Sequence, residues 1–473
     1  MLRTFSVIAL CFILHFNMEA QQRWSLKECV EYAMNNNLLV QQSALAGQGT
    51  RVTLIQNKAA LLPSVNGSAS QNINFGRSVD PYTYQFTNQQ ISNTQLSLSA
   101  NVVLFDGFQL MNTVKQSKLD YQAGKHDLEK VINDISLSVA SSYLQVLFSK
   151  EQLKAAKLRI ESIEKQRDVI KKQVLAGVLA EGSLMDLEAQ VASEELQQIN
   201  SSNSVKQSLL TLVQIMNLDS AENFDIEDPN LELADQSIVG FTAYQIYENA
   251  LRAMPEVKAA EIRSQSAGTA LSIARGGYSP RLTAFGSVSS GYSSGAKRLA
   301  GTPQFTGFAP NGQITSAFDT VLSPSFKTVF EETPFNTQVN ENLNKGIGLS
   351  LQIPIFNAWS THSNISRAKI NMARTKVDLQ NTKQQIFKTI QQAHLDAKSA
   401  QLKYAAAQKA YSAALLSSGY SEKKFNAGMG TSLEYLTAKN NATRAQSDLL
   451  QAKFDLIFRI KVLEFYNGQK LTL

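Results

Sequence analysis

The sequence predicts a mainly α-helical chain with membrane β-strands, and three observations carry that prediction. One order of elements is written twice along the chain. In each copy, two stretches alternate polar and apolar residues with a period of two. Each copy also holds a helical stretch of roughly 67 residues, several times the usual helix length.

The first twenty residues read as an export signal. Arg3 supplies a positive start, Phe5 to Phe16 an apolar run, and Met18-Glu19-Ala20 a small-residue cleavage site before Gln21. Cys11 follows Leu10 inside the apolar run, whereas a lipid-bearing cysteine needs a small preceding residue at the end of the run. After cleavage only Cys29 remains, so no intrachain disulfide is available, and Cys29 reads as a small buried residue of the first helix. No later stretch is expected to supply the roughly 20 apolar residues of a transmembrane helix. An exported membrane protein of this sequence must therefore cross as strands.

The repeats span 21–219 and 241–473. Each opens with an amphipathic helix, through Leu26, Cys29, Val30, Tyr32 and Ala33 in the first and Tyr244, Ile246, Tyr247, Ala250 and Leu251 in the second. Prolines at Leu62-Pro63-Ser64 and Ser279-Pro280-Arg281 end these helices, and the period changes from there. The strands are placed at 64–75 and 94–105, then at 281–292 and 345–356. Leu96, Leu98, Ala100, Val102 and Leu104 alternate with Gln95, Ser97, Ser99 and Asn101, as Ile347, Leu349, Leu351, Ile353 and Ile355 do with Gly348, Ser350 and Gln352. Both runs end alike, in Leu104-Phe105-Asp106-Gly107 and Ile355-Phe356-Asn357-Ala358. Between the third and fourth strands lies 293–343, a segment with Pro303, Pro310, Pro324 and Pro334 and no sustained period, which reads as a mobile surface loop.

A very long helix follows each strand pair, from about Phe108 to Val174 and from about Trp359 to Phe425, each reaching about 100 Å. Ile132, Val139, Val146, Leu153 and Ile160 recur every seven residues as a coiled-coil seam. The second helix is alanine-rich, from Ala393 to Ala414, which suits close packing along much of its length. Glycine turns near 176–178 and 427–429 cap these helices, and a shorter helix returns from each. The repeats are joined by an acidic connector, 220–240, which carries Glu222, Asp225, Glu227, Asp228, Glu232 and Asp235 and could form a small subdomain around the middle of the helices.

Four strands cannot close a barrel, and each unpaired backbone group at an edge in hydrocarbon costs several kcal/mol. Identical subunits must complete it, and a homotrimer gives 12 strands, an even number wide enough for a lumen. Gln95, Ser97, Ser99, Asn101, Ser350 and Gln352 would face that lumen, while Phe105, Phe108, Phe356 and Trp359 would form an aromatic belt against outer-membrane lipid.

Other chemistries find little support. The chain has 43% hydrophobic and 18% charged residues among 473, the composition of a folded protein. Its 45 Lys+Arg against 39 Asp+Glu give +6, scattered along helices without the basic, aromatic-laced cluster that nucleic acid binding needs. His126, His362 and His394 form no ligand-spaced pair, and Gly428-Met429-Gly430 lies between helices rather than after a strand. No catalytic residue, metal site or cofactor is therefore assigned.

Several segments in order carry a family likeness: the repeat itself, Trp24-Ser25-Leu26-Lys27-Glu28 with Ala33 and Asn35-Asn36-Asn37, the strand end Leu351-Gln352-Ile353-Pro354-Ile355-Phe356, and Phe425-Asn426-Ala427-Gly428 before Leu433-Glu434-Tyr435-Leu436. Together they resemble the TolC-type outer membrane efflux proteins over nearly the whole chain. The resemblance implies a trimeric α/β barrel, with four strands per protomer in a shared 12-stranded outer-membrane barrel continued by long periplasmic coiled-coil helices. It also implies docking of Ala176, Gly177, Val178, Ala427, Gly428 and Met429 onto a periplasmic adaptor and, indirectly, an inner-membrane pump. Family aperture acids six and nine positions after the second turn glycine fall on Glu434 and Thr437, so only the first is acidic, and Asp186 is the nearest acid in the first repeat. The cargo, whether drugs, small molecules or secreted polypeptides, is not legible. A periplasmic coiled-coil adaptor or a structural protein of an export complex is the alternative.

Overall fold

The structure, a computed structural model, describes residues 23–79, 84, 86, 87, 90–220, 224–228 and 236–469. The export signal and connector residues Glu222, Glu232 and Asp235 lie outside the described residues. In chain order, β1 (Arg23–Trp24) leads into α1 (Leu26–Asn36) and α2 (Leu38–Ala59), then β2 (Ser64–Asn74), β3 (Ser78–Val79), β4 (Phe86–Thr87) and β5 (Ile91–Phe105), and then α3 (Gln109–Leu175) and α4 (Glu181–Met216). After β6 (Asp225–Ile226) and a 3-10 turn at Gln236–Gly240 come α5 (Ala243–Ala253), α6 (Pro255–Gly276) and β7 (Arg281–Ser293). Four short elements follow, β8 (Lys297–Leu299), β9 (Gln304–Ile314), β10 (Thr320–Lys327) and β11 (Phe330–Glu332), and then α7 (Phe335–Glu341) and β12 (Asn344–Gln352). The chain closes with α8 (Ser360–Asn426) and α9 (Ser432–Tyr466).

The chain divides into two compact units, one of residues 1–52, 118–267 and 371–473, the other of 53–117 and 268–370. The first unit is helical and has two large cores. Around Tyr143 pack Cys29, Ala33, Val139, Val146, Leu147, Leu212, Val213, Met216 and Ile226. The second core gathers Ile246, Val257, Ile390, Ala397, Leu456, Ile460 and Leu463. Tyr143 Oη lies 3.2 and 3.1 Å from the Trp24 and Glu227 carbonyl oxygens, and β1 pairs in parallel with β6, so the connector's described part is stitched onto the first core. Burial raises the tyrosine's pKa, which keeps it a neutral donor.

The heptad reading of α3 captured half of its seam. Val139 and Val146 are buried, but so is an offset row of Ser142, Ser149, Ala156, Ile163 and Ile170. Serine carries no apolar signal and alanine only a weak one, although both let neighbouring backbones come close. Of the alanines in α8, Ala393, Ala397 and Ala400 are buried, while Ala405, Ala406, Ala410 and Ala413 are exposed within one chain.

Other expectations need correction. Each opening helix is two helices. Asn37, whose Nδ2 donates to the Ile215 carbonyl at 2.8 Å and whose Oδ1 accepts the Leu39 N–H at 2.9 Å, separates α1 from α2. Met254 separates α5 from α6 because the residue before Pro255 is driven out of the helical region. One window of α3 is also long and apolar enough to cross a membrane, against the expectation of none, yet half of it is buried against other helices, as in a core helix.

The second unit is built on a four-stranded antiparallel sheet in the order β12-β7-β5-β2. β12 ends at Gln352, before Pro354, which cannot donate to a ladder. The 293–343 segment is folded rather than a structureless loop: β9 pairs with β10 and β11 with β8. Its prolines hid these strands. Pro310 and Pro324 both sit in a two-stranded ribbon, where a missing N–H can point outward. The buried Gln338 ties the segment to β7, accepting the Ser293 N–H at 2.9 Å and donating to the Ser293 and Thr333 carbonyls at 3.0 and 2.8 Å.

Candidate functional site: strand faces and helix turns

The register sorts the sheet into two chemically distinct faces. One carries Val65 and Ala69 beside Leu96, Leu98, Ala100 and Val102, then Ala284 and Val288, then Ile347, Leu349 and Leu351. The other carries Ser64, Asn66, Ser68, Gln95, Ser97, Ser99, Asn101, Ser287, Ser289, Ser350 and Gln352. Across it Ser64 Oγ donates to Asn101 Oδ1 and Ser68 Oγ bonds Ser97 Oγ, both at 2.6 Å. The apolar face is open to its surroundings, with Ile347 95% exposed. β2 and β12, the outer strands, each keep one edge unpaired among the described residues.

At the strand-to-helix corners the backbone turns through consecutive left-handed residues, Gly107 (φ 69°) and Phe108 (φ 62°) in the first repeat, Ala358 (φ 49°) and Trp359 (φ 61°) in the second. Phe105 and Phe108 meet edge-on at 5.5 Å, Trp359 packs edge-on against His362 at 4.8 Å, and Phe105, Phe108, Phe356 and Trp359 all remain exposed.

The turns at the far ends of α3 and α8 share one geometry. Gly177 (φ 72°) donates to the Val174 carbonyl and Val178 to that of Gln173, both at 2.9 Å, while Gly428 (φ 74°) and Met429 repeat the pattern onto Phe425 and Lys424 at 3.0 Å. This is the Schellman cap, which the sequence signalled through its glycines. Val178 and Met429 project at matching positions, 70% and 74% exposed, beside Ala176 and Ala427. Beneath them Ile163, Ile170, Leu187 and Val191 form a small core that Phe425 and Leu436 of the other hairpin join, and Phe425 stacks on Tyr435 at 5.4 Å.

Glu434, Thr437 and Asp186 are all exposed near these turns, and among the described residues no hydrogen bond or ion pair joins Glu434 to Asp186. Glu434 already has a task that sequence reading overlooked. It closes a capping box with Thr431, accepting the Thr431 N–H at 3.5 Å while its own N–H donates to Thr431 Oγ1 at 3.2 Å. The signal was the Thr-x-x-Glu spacing ahead of an apolar run. Among the described residues no group of His, Cys, Asp and Glu could hold a metal ion.

Comparison with known proteins agrees with this geometry. A family model described as outer membrane efflux protein matches residues 30–218 and 246–457, one segment per repeat. Among solved structures, one of CusC has a TM-score of 0.72 at 17% identity, over 94% of this chain and 92% of that one. VceC from Vibrio cholerae has a TM-score of 0.73 at 14% identity, over 94% and 96%. The CmeC outer membrane channel of Campylobacter jejuni has a TM-score of 0.69 at 18% identity, over 94% and 85%. No curated protein matches the sequence significantly.

Proposed function

Starting from the chain's membership of the outer membrane efflux protein family, which places it in the outer membrane, we propose that three copies form one export duct. The observation that carries this reading is the four-stranded sheet with an apolar face, a polar face and two open edges. In hydrocarbon such edges must be paired, and three sheets give a 12-stranded barrel with the apolar faces toward lipid and the polar faces around water. Phe105, Phe108, Phe356 and Trp359 then form the interfacial belt. The duct performs no chemistry and conducts passively what an inner-membrane pump delivers through a periplasmic adaptor. The exposed turns with Val178 and Met429 are the adaptor's contacts, and Glu434, with Thr437 and Asp186 nearby, lines the aperture. The cargo is set by the pump, so drugs, other small molecules and polypeptides all suit a water-filled lumen.

The chain contains its own template for the joint between copies. The two hairpins share a register, Ser64 opposite Asn101 in one and Arg281 opposite Gln352 in the other. The intrachain β5–β7 seam, with Leu96 opposite Ser290 and Ala100 opposite Gly286, supports the same pairing where β12 meets β2 of the next copy. Carrying 64 onto 281 and 101 onto 352 sets Ile347 against Ile73, Leu351 against Ala69 and Ser350 against Ser70. The double variant Ser350→Cys with Ser70→Cys should form an oxidised, heat-resistant covalent trimer in outer membranes, and Ser350→Cys with Ser68→Cys should not. A chain that stays monomeric and water-soluble without detergent would overturn the duct.

A further inference from the structure

The four long strands contain no aspartate or glutamate, and their charged side chains are Arg281 and Lys345. Pairing puts the two on opposite faces. Lys345 sits opposite Val288 in the apolar rows. Arg281 sits opposite Gln352 in the rows that continue through Thr283 and Ser350, then Phe285 and Gly348, on the polar face. It is exposed and makes no ion pair among the described residues. The nearest acid along the register is Asp106, just past β5. That carboxylate is engaged at the start of α3, where Oδ2 accepts the Leu110 N–H at 3.0 Å and the helix N-terminus offsets its charge. Two pairs further along the same face, the Phe285 ring lies over Gly348, so close that a Cβ there would stand 2.6 Å from Cζ. An unpaired cation and an exposed aromatic ring thus share a face whose other side chains are mostly hydroxyls and amides, with Val103 opposite Thr283 and Ile91 opposite Asn74 as its aliphatic members.

We propose that Arg281 gives the helix-proximal end of the lumen a band of positive potential that favours anionic solutes, above all those with an aromatic ring to lay against Phe285. The inference rests on the duct reading, which brings three copies of Arg281 around one water-filled bore. Low-dielectric walls focus such a field, and with no strand carboxylate to cancel it, it reaches about 10 Å at 0.1 M salt. Rings of like charge select counter-ions in channels by the same physics.

The test reads the potential at the site itself. Ser350→Cys places a thiol diagonally from Arg281, roughly 7–8 Å away, while Cys29, fully buried, stays silent. Outer membranes bearing the heat-stable assembly are labelled with anionic and with cationic methanethiosulfonate at about 0.1 M salt. The anionic-to-cationic rate ratio should fall about threefold with Arg281→Gln, invert with Arg281→Glu, hold with Arg281→Lys and Lys345→Gln, and lose its dependence on residue 281 near 1 M salt, where screening shortens to about 3 Å. A ratio indifferent to Arg281→Gln and Arg281→Glu overturns the inference and leaves the duct standing. If neither reagent reaches Ser350→Cys in the folded assembly, the polar face is not a lumen, and both readings fall.

Discussion

Gly107 and Gly276 approach until neither has room for a side chain: a Cβ on Gly107 would lie 2.6 Å from the Gly276 carbonyl oxygen, and a Cβ on Gly276 would lie 2.7 Å from that of Gly107. The contact locks the end of β5, the last strand of the first repeat, against the end of α6 in the second. Gly107→Ala and Gly276→Ala should each destabilise by about 2–4 kcal/mol, since backbone rather than a flexible side chain must move. Ala358→Gly, at the matching corner of the second repeat, should change stability by about 1 kcal/mol or less. The dissociation temperature of the detergent-extracted assembly reads all three.

Glu434 has two possible tasks, and substitution separates them. Glutamine also serves in a capping box, so Glu434→Gln should leave thermal stability nearly unchanged while removing a charge from the proposed aperture. Thr431→Ala breaks the cap and should cost about 1 kcal/mol. Conductance of Glu434→Gln in planar bilayers should show weaker cation selectivity; a selectivity identical to the parent's would take Glu434 out of the aperture.

Val178 and Met429 touch little of their own chain, so Val178→Asp and Met429→Asp should shift stability by no more than about 0.5 kcal/mol. Their effect should fall on adaptor engagement. Export in cells and site-specific crosslinking to the proposed adaptor should drop together, while abundance of the proposed trimer stays level. Full export by the double variant would move the contact elsewhere.

Cys29 is pushed up to about 12, first by burial and then by the nearby Glu28 carboxylate. The folded state keeps the proton, while the unfolded chain releases it near its ordinary value of 9.0. The stability this contributes is complete below about pH 9 and is lost as pH rises from there toward 12, by up to about 1.4 kcal/mol per unit. Melting temperatures measured from pH 8 to 11 should fall more steeply for the parent than for Cys29→Ala. Iodoacetamide should modify Cys29 only after unfolding.

Much of this architecture was legible because its signals are periodic. Leu96 to Leu104 and Ile347 to Leu351 announced strands with two faces, and Gly177 and Gly428 announced the turns, since only a residue tolerant of positive φ fits there. What stayed hidden depends on residues distant in sequence. Ser142 and Ser149 are polar in sequence and are buried only by virtue of what packs on them. Asn37 breaks a helix by bonding to Ile215, 178 positions away. Arg281 looked like one more scattered charge until the register put it on an acid-free face. The hairpin of β9 and β10 was masked by Pro310 and Pro324, which are disruptive in a central strand but harmless in a ribbon.

The helical cores are graded in size. Among the described residues sixteen are buried together around Tyr143, whereas near the glycine turns the cluster has four: Ile163, Ile170, Leu187 and Val191. Parting the hairpin ends would expose only a small share of the apolar surface that separation at Tyr143 would release, and local opening free energy follows that surface. Amide exchange should accordingly be fastest beside the caps and slowest around Tyr143. The two hairpins are thus free to rearrange at their turns while the Tyr143 core stays a fixed frame.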